Sequence, residues 1–276
     1  MKPSELLTQA PRGESILIYG PPKTGKTLLA ATLARTHRLH WFDLENGFST
    51  VLKTPLLTPA EKDNIDVIQI PDTRANPVAI GTMLKVLSGN RTEVCILHGL
   101  VSCLACRKNN AVFQTYETSK LTRGDVVVVD SLTQLSDSAY NQVIGSDLDS
   151  ATDIRDFGKS NQRLAMLLSF VQQAPFHTVF ISHEKAVELE GETAKAGGFK
   201  KDEKAPVQEK IYPFAGTRNF SRNVAKFFGH VLYTEYKPSG FCVGASPEYK
   251  VNALIGNRSG LKWKAGESKL SDFLKG

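Results

Sequence analysis

At 276 residues and 30.3 kDa, with 41% hydrophobic and 22% charged residues, the sequence has an ordinary globular composition and length for one large α/β domain, which excludes disordered and fibrous classes. No apolar run approaches the ~18 residues of a membrane span, and "MKPSELLTQAPRGES" lacks the apolar core of a signal peptide, so the expected compartment is the cytoplasm, with no membrane partner. The net charge of +6 is uneven: from Lys210 onward there are 11 Lys/Arg against 4 Asp/Glu, a balance that suits a polyanion or is simply a solvated surface.

Residues 15–19, "SILIY", read as a buried strand, and "GPPKTGKT" follows at once. The spacing fits G-x-x-x-x-G-K-[ST], a loop whose backbone N–H groups wrap the phosphates of a nucleotide. The expected nucleotide-binding residues are Gly20, Pro21, Pro22, Lys23, Thr24, Gly25, Lys26, Thr27 and Leu28. Lys26 would reach the β and γ oxygens of ATP and Thr27 would ligate Mg2+. Pro21 and Pro22 remove two donors early in the loop and stiffen it without emptying the cradle. Leu28, Leu29, Leu33, Ala30 and Ala34 then recur at helical spacing, which completes strand, loop and helix.

"LHWFDLE" reads as a second strand and ends on acidic residues. "NIDVIQI" is a third, and "ANPVAIGTMLKVLSG" a helix opened by Asn76-Pro77 and stopped by Gly89. Residues 91–124 interrupt the alternation. They hold Cys95-x2-His98-x4-Cys103-x2-Cys106, two pairs separated by a Gly-containing turn, which predicts a structural Cys3His zinc site in a small knuckle. Buried thiols without metal are the alternative. "DVVVVDS" is too apolar for an exposed strand and belongs in the middle of a parallel sheet. Its Asp130 is the Walker B carboxylate that would hold Mg2+, or else a helix cap. "DIRDFGKSNQRLAMLLSFVQQ" is an amphipathic helix and "HTVFISHE" a strand. From Lys185 to Lys210 the pattern dissolves into charged, Gly-containing sequence, and 185–217 reads as a mobile loop. Beyond it "NFSRNVAKFFG" is helical, and the next stretch alternates as a hairpin around residues 237–240. The whole predicts a mostly parallel twisted sheet flanked by helices, with a zinc-knuckle insertion and a C-terminal hairpin extension.

Hydrolysis needs a carboxylate that orients the attacking water. The residue after Asp130 is Ser131, so the base must come from elsewhere. Glu45 ends a separate buried strand that sheet topology brings to the same edge as Thr27 and Asp130; an exposed helix-capping acid is the alternative.

"WFDLENG" after the P-loop helix, "NIDVIQIPDT" and "DVVVVDSLTQL" together resemble the core of the RecA family of bacterial recombinases, over roughly residues 16–184. The resemblance implies a single RecA-like ATPase domain over 1–276, with its catalytic Glu at Glu45. It also implies that His183 in "ISHE" senses the γ-phosphate, unless it only caps a strand end. The length, "ISHE" and the basic end with "IGNRSG" are similar to small phage-encoded RecA-like ATPases associated with single-strand annealing and recombination, and this places the protein in a bacterial host's cytoplasm. Enzymes of this kind complete the site with a cation from the next protomer of a homo-oligomeric ring or filament. Here the best donor is Arg258 on a Gly/Asn turn, or that turn contacts DNA or nothing.

The implied function is a DNA-stimulated ATPase acting on single-stranded DNA. Lys200, Lys201 and Lys204, with Phe199 nearby, then Arg218 and Arg222 around Phe220, offer phosphate contacts and stacking surfaces. The alternative is an ATP-switched loader or adaptor, hydrolysing slowly, for a helicase or recombination partner such as a single-strand-binding protein. A small-molecule kinase is disfavoured, since no Arg-rich lid or acceptor pocket is legible.

Overall fold

Ser15–Gly20 form strand β1 with every residue buried, the environment its apolar run demands. The computed structural model describes residues 12–145, 153–189 and 208–275. Helix α1 (Lys26–Ala31) continues as a 3-10 turn to Arg35 and leads into β2 (Arg38–Asp43), short helices α2 (Ser49–Lys53) and α3 (Pro59–Lys62), and β3 (Ile65–Gln69). Then come α4 (Ala79–Leu87), β4 (Thr92–Cys95), α5 (Leu104–Lys108), β5 (Phe113–Tyr116) and β6 (Asp125–Asp130). Helices α6 (Leu132–Ile144) and α7 (Ile154–Val171) precede the long β7 (His177–Leu189). The chain continues through β8 (Gln208–Pro213), α8 (Arg218–Asn223), β9 (His230–Lys237), β10 (Gly240–Gly244) and β11 (Gly256–Asn257).

The main sheet runs β10-β9-β1-β7-β6-β2-β3, and all pairs from β9 to β3 are parallel. Alternation along each strand divides the core in two. Ile16, Ile18, Trp41, Val126 and Val128 face α1, α2 and the C-terminal Leu270, Phe273 and Leu274. Leu17, Tyr19, Phe42, Val127 and Val129 face α4, α6 and α7. The predicted fold class is the one observed, including the β9–β10 hairpin at the edge. Gly20 is held by the neighbouring strand: a Cβ there would lie 2.1 Å from the Thr234 carbonyl oxygen.

Three boundaries differ from the sequence reading. Helix α4 starts at Ala79 because the Asp72 carboxylate accepts from the Ala79 N–H at 2.6 Å, leaving Asn76-Pro77 in the preceding turn. Strand β2 stops at Asp43, whose carboxylate accepts from the N–H groups of Gly47 and Phe48 and bends the chain. The reading of 185–217 as one loop gives way at both ends. Strand β7 runs on to Leu189 and pairs antiparallel with β8, because "KAVEL" alternates polar and apolar residues under its charges. Residues 190–207, with Lys200, Lys201 and Lys204, lie outside the described residues. Among the described residues no helix is long and apolar enough to cross a membrane.

Candidate active site

The parallel register lines up the carboxyl ends of four strands, the place where open α/β sheets receive ligands. Gly20 of β1 is opposite His183 of β7, Ile181 of β7 is opposite Asp130 of β6, and Asp130 is opposite Asp43 of β2. Chain neighbours of these residues supply Lys26, Thr27 and Glu45. The row brings together the P-loop, Walker B, proposed base and proposed sensor residues picked from the sequence.

Between Gly20 and Lys26 the loop turns through two left-handed residues, Lys23 (φ 64°) and Gly25 (φ 74°). The N–H groups at the start of α1, including Thr27 and Leu28, have no acceptor within the helix and are free for an anion. The Lys26 ammonium folds back and donates to the carbonyls of Gly20 (3.0 Å) and Pro21 (2.6 Å). Burial pushes its pKa down to about 8, against the opposing pull of Asp130, Glu45 and Glu184. A cation so poorly hydrated, with only carbonyl oxygens for partners, fits the oxygens of a phosphate chain.

Thr27 Oγ1 donates to Asp130 Oδ2 at 3.0 Å. Burial raises the Asp130 carboxyl to about 7, and the Thr27 hydrogen bond only partly offsets this. Two hard oxygen donors at this spacing, one of them a buried carboxylate, fit Mg2+ beside the phosphates. There Thr27 and Asp130 would hold the ion, which would supply positive charge against the phosphates.

Glu45 sits two residues past the end of β2, partly buried. Its Oε1 accepts from Ser131 Oγ and its Oε2 is 3.3 Å from His183 Nε2. Burial alone would raise this carboxyl, but the hydrogen bonds from His183 and Ser131 and the Lys26 charge hold it below the usual range. It is therefore ionised at neutral pH, as an acceptor of a proton must be. His183 is fixed through its backbone: its N–H donates to Thr133 Oγ1 at 2.9 Å and its C=O accepts from Phe214 N–H at 2.8 Å.

Asp43, Ser131 and Thr133 were not singled out from the sequence. Asp43 shapes the bend that carries Glu45. Ser131 caps α6 by accepting from Gln134 N–H, which turns its hydroxyl hydrogen towards Glu45. The signal for Ser131 is the S-x-x-Q spacing of "SLTQ", a helix start. Asp43 looked like an ordinary strand residue beside the more prominent Glu45.

The four knuckle residues converge. One ligand atom from each of Cys95, His98, Cys103 and Cys106 lies within 4.8 Å of all the others, and His98 Nδ1 is 3.1 Å from Cys106 Sγ and 3.6 Å from Cys103 Sγ. A tetrahedral zinc site with bonds of ~2.0–2.3 Å has ligand edges of about 3.5–3.8 Å, so the set fits with small adjustments. The Cys106 amide helps pull the Cys103 thiol down to about 7, towards the thiolate that zinc requires. Among the described residues, Leu100, Ala111 and Phe113 pack around the thiols, a small apolar shell to which metal binding would add folding energy. Protein purified without added metal is expected to contain one equivalent of zinc, and Cys103→Ser to lose both zinc and thermal stability. Elemental analysis showing a metal-free protein as stable as the variant would remove the site.

The remaining picks scatter. Arg222 lies 5.9 Å over the Tyr212 ring, and Arg218 lines a groove beyond His183. Arg258 is exposed beside Gly229 at the opposite end of β1 and β9 from Gly20, away from this chain's own phosphate loop. In comparisons with known proteins, the family described as AAA domain matches residues 12–240. No curated protein matches the sequence. Among solved structures, a prototypical ATPase from the type III secretion system of pathogenic bacteria aligns over 88% of this chain with 12% identity and a TM-score of 0.45. The chain spans 60% of that ATPase's length.

Proposed function

Because the chain belongs to the AAA domain family and carries an ATP-binding and ATP-hydrolysing core, we propose that it couples ATP hydrolysis to single-stranded DNA, as a homo-oligomer, in phage recombination or replication. The observation that supports this reading is the link from His183 to a groove on the same edge of the molecule. Phe214, whose N–H donates to the His183 carbonyl, is one wall of that groove. The groove is about 410 Å³ and is also lined by Tyr140, Phe157, Lys185 and Arg218. The Tyr140 and Phe157 rings stack with centroids 5.0 Å apart, and Lys185 Nζ lies 4.8 Å over the Phe214 ring. Flat aromatic faces beside cations suit bases and phosphates of a single strand. Asp137 faces the same groove, and its carboxyl is held above the ordinary range, first by burial and then by Asp72 and Glu45.

In this reading the division of labour is simple. Lys26 and the loop N–H groups hold the phosphates, and Glu45 accepts the proton of the attacking water. His183 donates from Nε2 either to Glu45 or to a phosphate oxygen, and its backbone carries the change to Phe214. DNA in the groove acts back on the same residue.

One observation favours the second reading, an ATP-switched loader or adaptor with slow turnover: both Glu45 oxygens are already engaged, by Ser131 and His183. A base held so is slow until something frees it. Turnover measured with and without single-stranded DNA separates the two. The first reading expects stimulation of about tenfold or more, weakened by salt, and loss of the stimulation but not of basal turnover in Lys185→Ala/Arg218→Ala. Turnover indifferent to DNA would favour the loader.

A further inference from the structure

We propose that the β9–β10 hairpin carries a base-stacking platform, Phe241 with Tyr236 beside it, that receives the base of the nucleotide whose phosphates lie on the P-loop. The inference rests on the phosphate reading of that loop and adds a subsite to it. Phe241 and Tyr236 are directly opposite in the antiparallel register, so their side chains share one face of the hairpin. Thr234 and Val243, two residues back on each strand, share that face as well. Its direction is fixed by contacts: Val243 packs in the core layer of α1, and Thr234 Oγ1 is 2.8 Å from Thr24 Oγ1 in the phosphate loop. The aromatic pair therefore extends the α1 face of the sheet out past the loop.

Phe241 reaches the loop itself. A Cβ on Gly25 would lie 3.1 Å from Phe241 Cε2 and 3.3 Å from Cδ2, so the ring covers the glycine immediately before Lys26. Even so, Phe241 is 40% exposed and Tyr236 73% exposed. The open part of the Phe241 ring and most of Tyr236 therefore stand in solvent beside the phosphate loop. The charges of the hairpin are engaged elsewhere: Lys237 pairs with Glu235 at 3.0 Å and lies over the Tyr249 ring, while Lys250 also takes Glu235. What remains is an uncharged aromatic surface that begins at Gly25, next to Lys26, and the ligand chemistry it suits is a heteroaromatic ring rather than another phosphate.

The test compares magnesium complexes of a non-hydrolysable ATP analogue and of inorganic tripolyphosphate, binding to the full chain by calorimetry. Phe241→Leu keeps an apolar contact on Gly25 and removes the π face. It is expected to weaken the analogue about tenfold or more, the scale of base stacking on an aromatic ring, and to leave tripolyphosphate unchanged. Tyr236→Ala should act in the same direction and less. Phe241→Trp should restore the analogue's affinity, with tryptophan emission quenched by the analogue and not by tripolyphosphate. Equal binding of the analogue by wild type and Phe241→Leu overturns the platform. Parallel loss of both ligands also overturns it, since the ring would then only support the loop. Failure of wild-type protein to bind tripolyphosphate while binding the analogue is a different result: it sinks the phosphate reading of the loop, and the platform with it.

Discussion

Glu45→Gln is expected to bind ATP with unchanged affinity and to lose hydrolysis by ~10²-fold or more, the scale at which a general base contributes. The substitution keeps the shape of the side chain and an oxygen to accept from Ser131 Oγ, while removing the capacity to take a proton. Its neighbours make the test clean. Hydrogen bonds from Ser131 and His183 overcome the burial that would otherwise raise the Glu45 carboxyl, so wild-type Glu45 is charged across the neutral range and the amide variant is not. Single-turnover measurements separate chemistry from nucleotide exchange. Normal hydrolysis in the variant would mean that another group is the base, and Glu45 only orders the strand end.

Replacing Lys26 should have an effect at least as large, with an opposite consequence for folding. Loss of this buried loop cation would remove stabilisation of the γ-phosphoryl charge, which is worth about 10²–10³ in rate or more for a buried electrostatic donor. Lys26→Ala and Lys26→Met are both expected to be inactive. The nucleotide-free protein, however, carries this ammonium under strain of solvation: burial lowers its pKa from 10.5 to about 8, a cost of about 3 kcal/mol at neutral pH. Lys26→Met fills the same space without the charge and should melt several degrees higher than wild type. The folded value lies below the unfolded one, so between about pH 8 and 10.5 the unfolded chain binds the extra proton. Wild-type stability contributed by this group therefore rises with pH through that window. The Met variant should lack the rise. A variant that is inactive yet less stable at every pH would show that the carbonyl contacts to Gly20 and Pro21 outweigh the desolvation.

Local, spaced chemistry was legible in the sequence, and chemistry assembled across strands was less so. The P-loop is written in eight consecutive residues, and an apolar strand ending in Asp130 needs no partner to be recognised. Glu45 could be placed because it closes a strand that topology must bring to the same edge. The knuckle was read from ligand spacing, and the four side chains do meet. In the sequence Ser131 is only the residue after Asp130 that cannot be a base. Its role depends on Glu45, which is 86 positions away in the chain. The hairpin arm at Lys185–Leu189 was hidden because its charges resemble a loop's, and the alternation beneath them spans too few residues to dominate. Phe241 carried no signal at all, since a lone aromatic in an edge strand is most simply a packing residue.

Gly20 shows how one motif can record two unrelated demands. Its α-carbon faces the Thr234 carbonyl so closely that any side chain would collide with the backbone of β9. The requirement comes from the sheet and would persist if the phosphate were never bound. Gly25 and Lys26, five and six positions on, answer instead to the loop's left-handed turn and, in the proposed function, to the anion. The signature is thus a fold constraint at its first letter and a ligand constraint at its last. A redesign that gave up nucleotide binding could change Lys26, and would still have to keep the first glycine for β1 to lie beside β9.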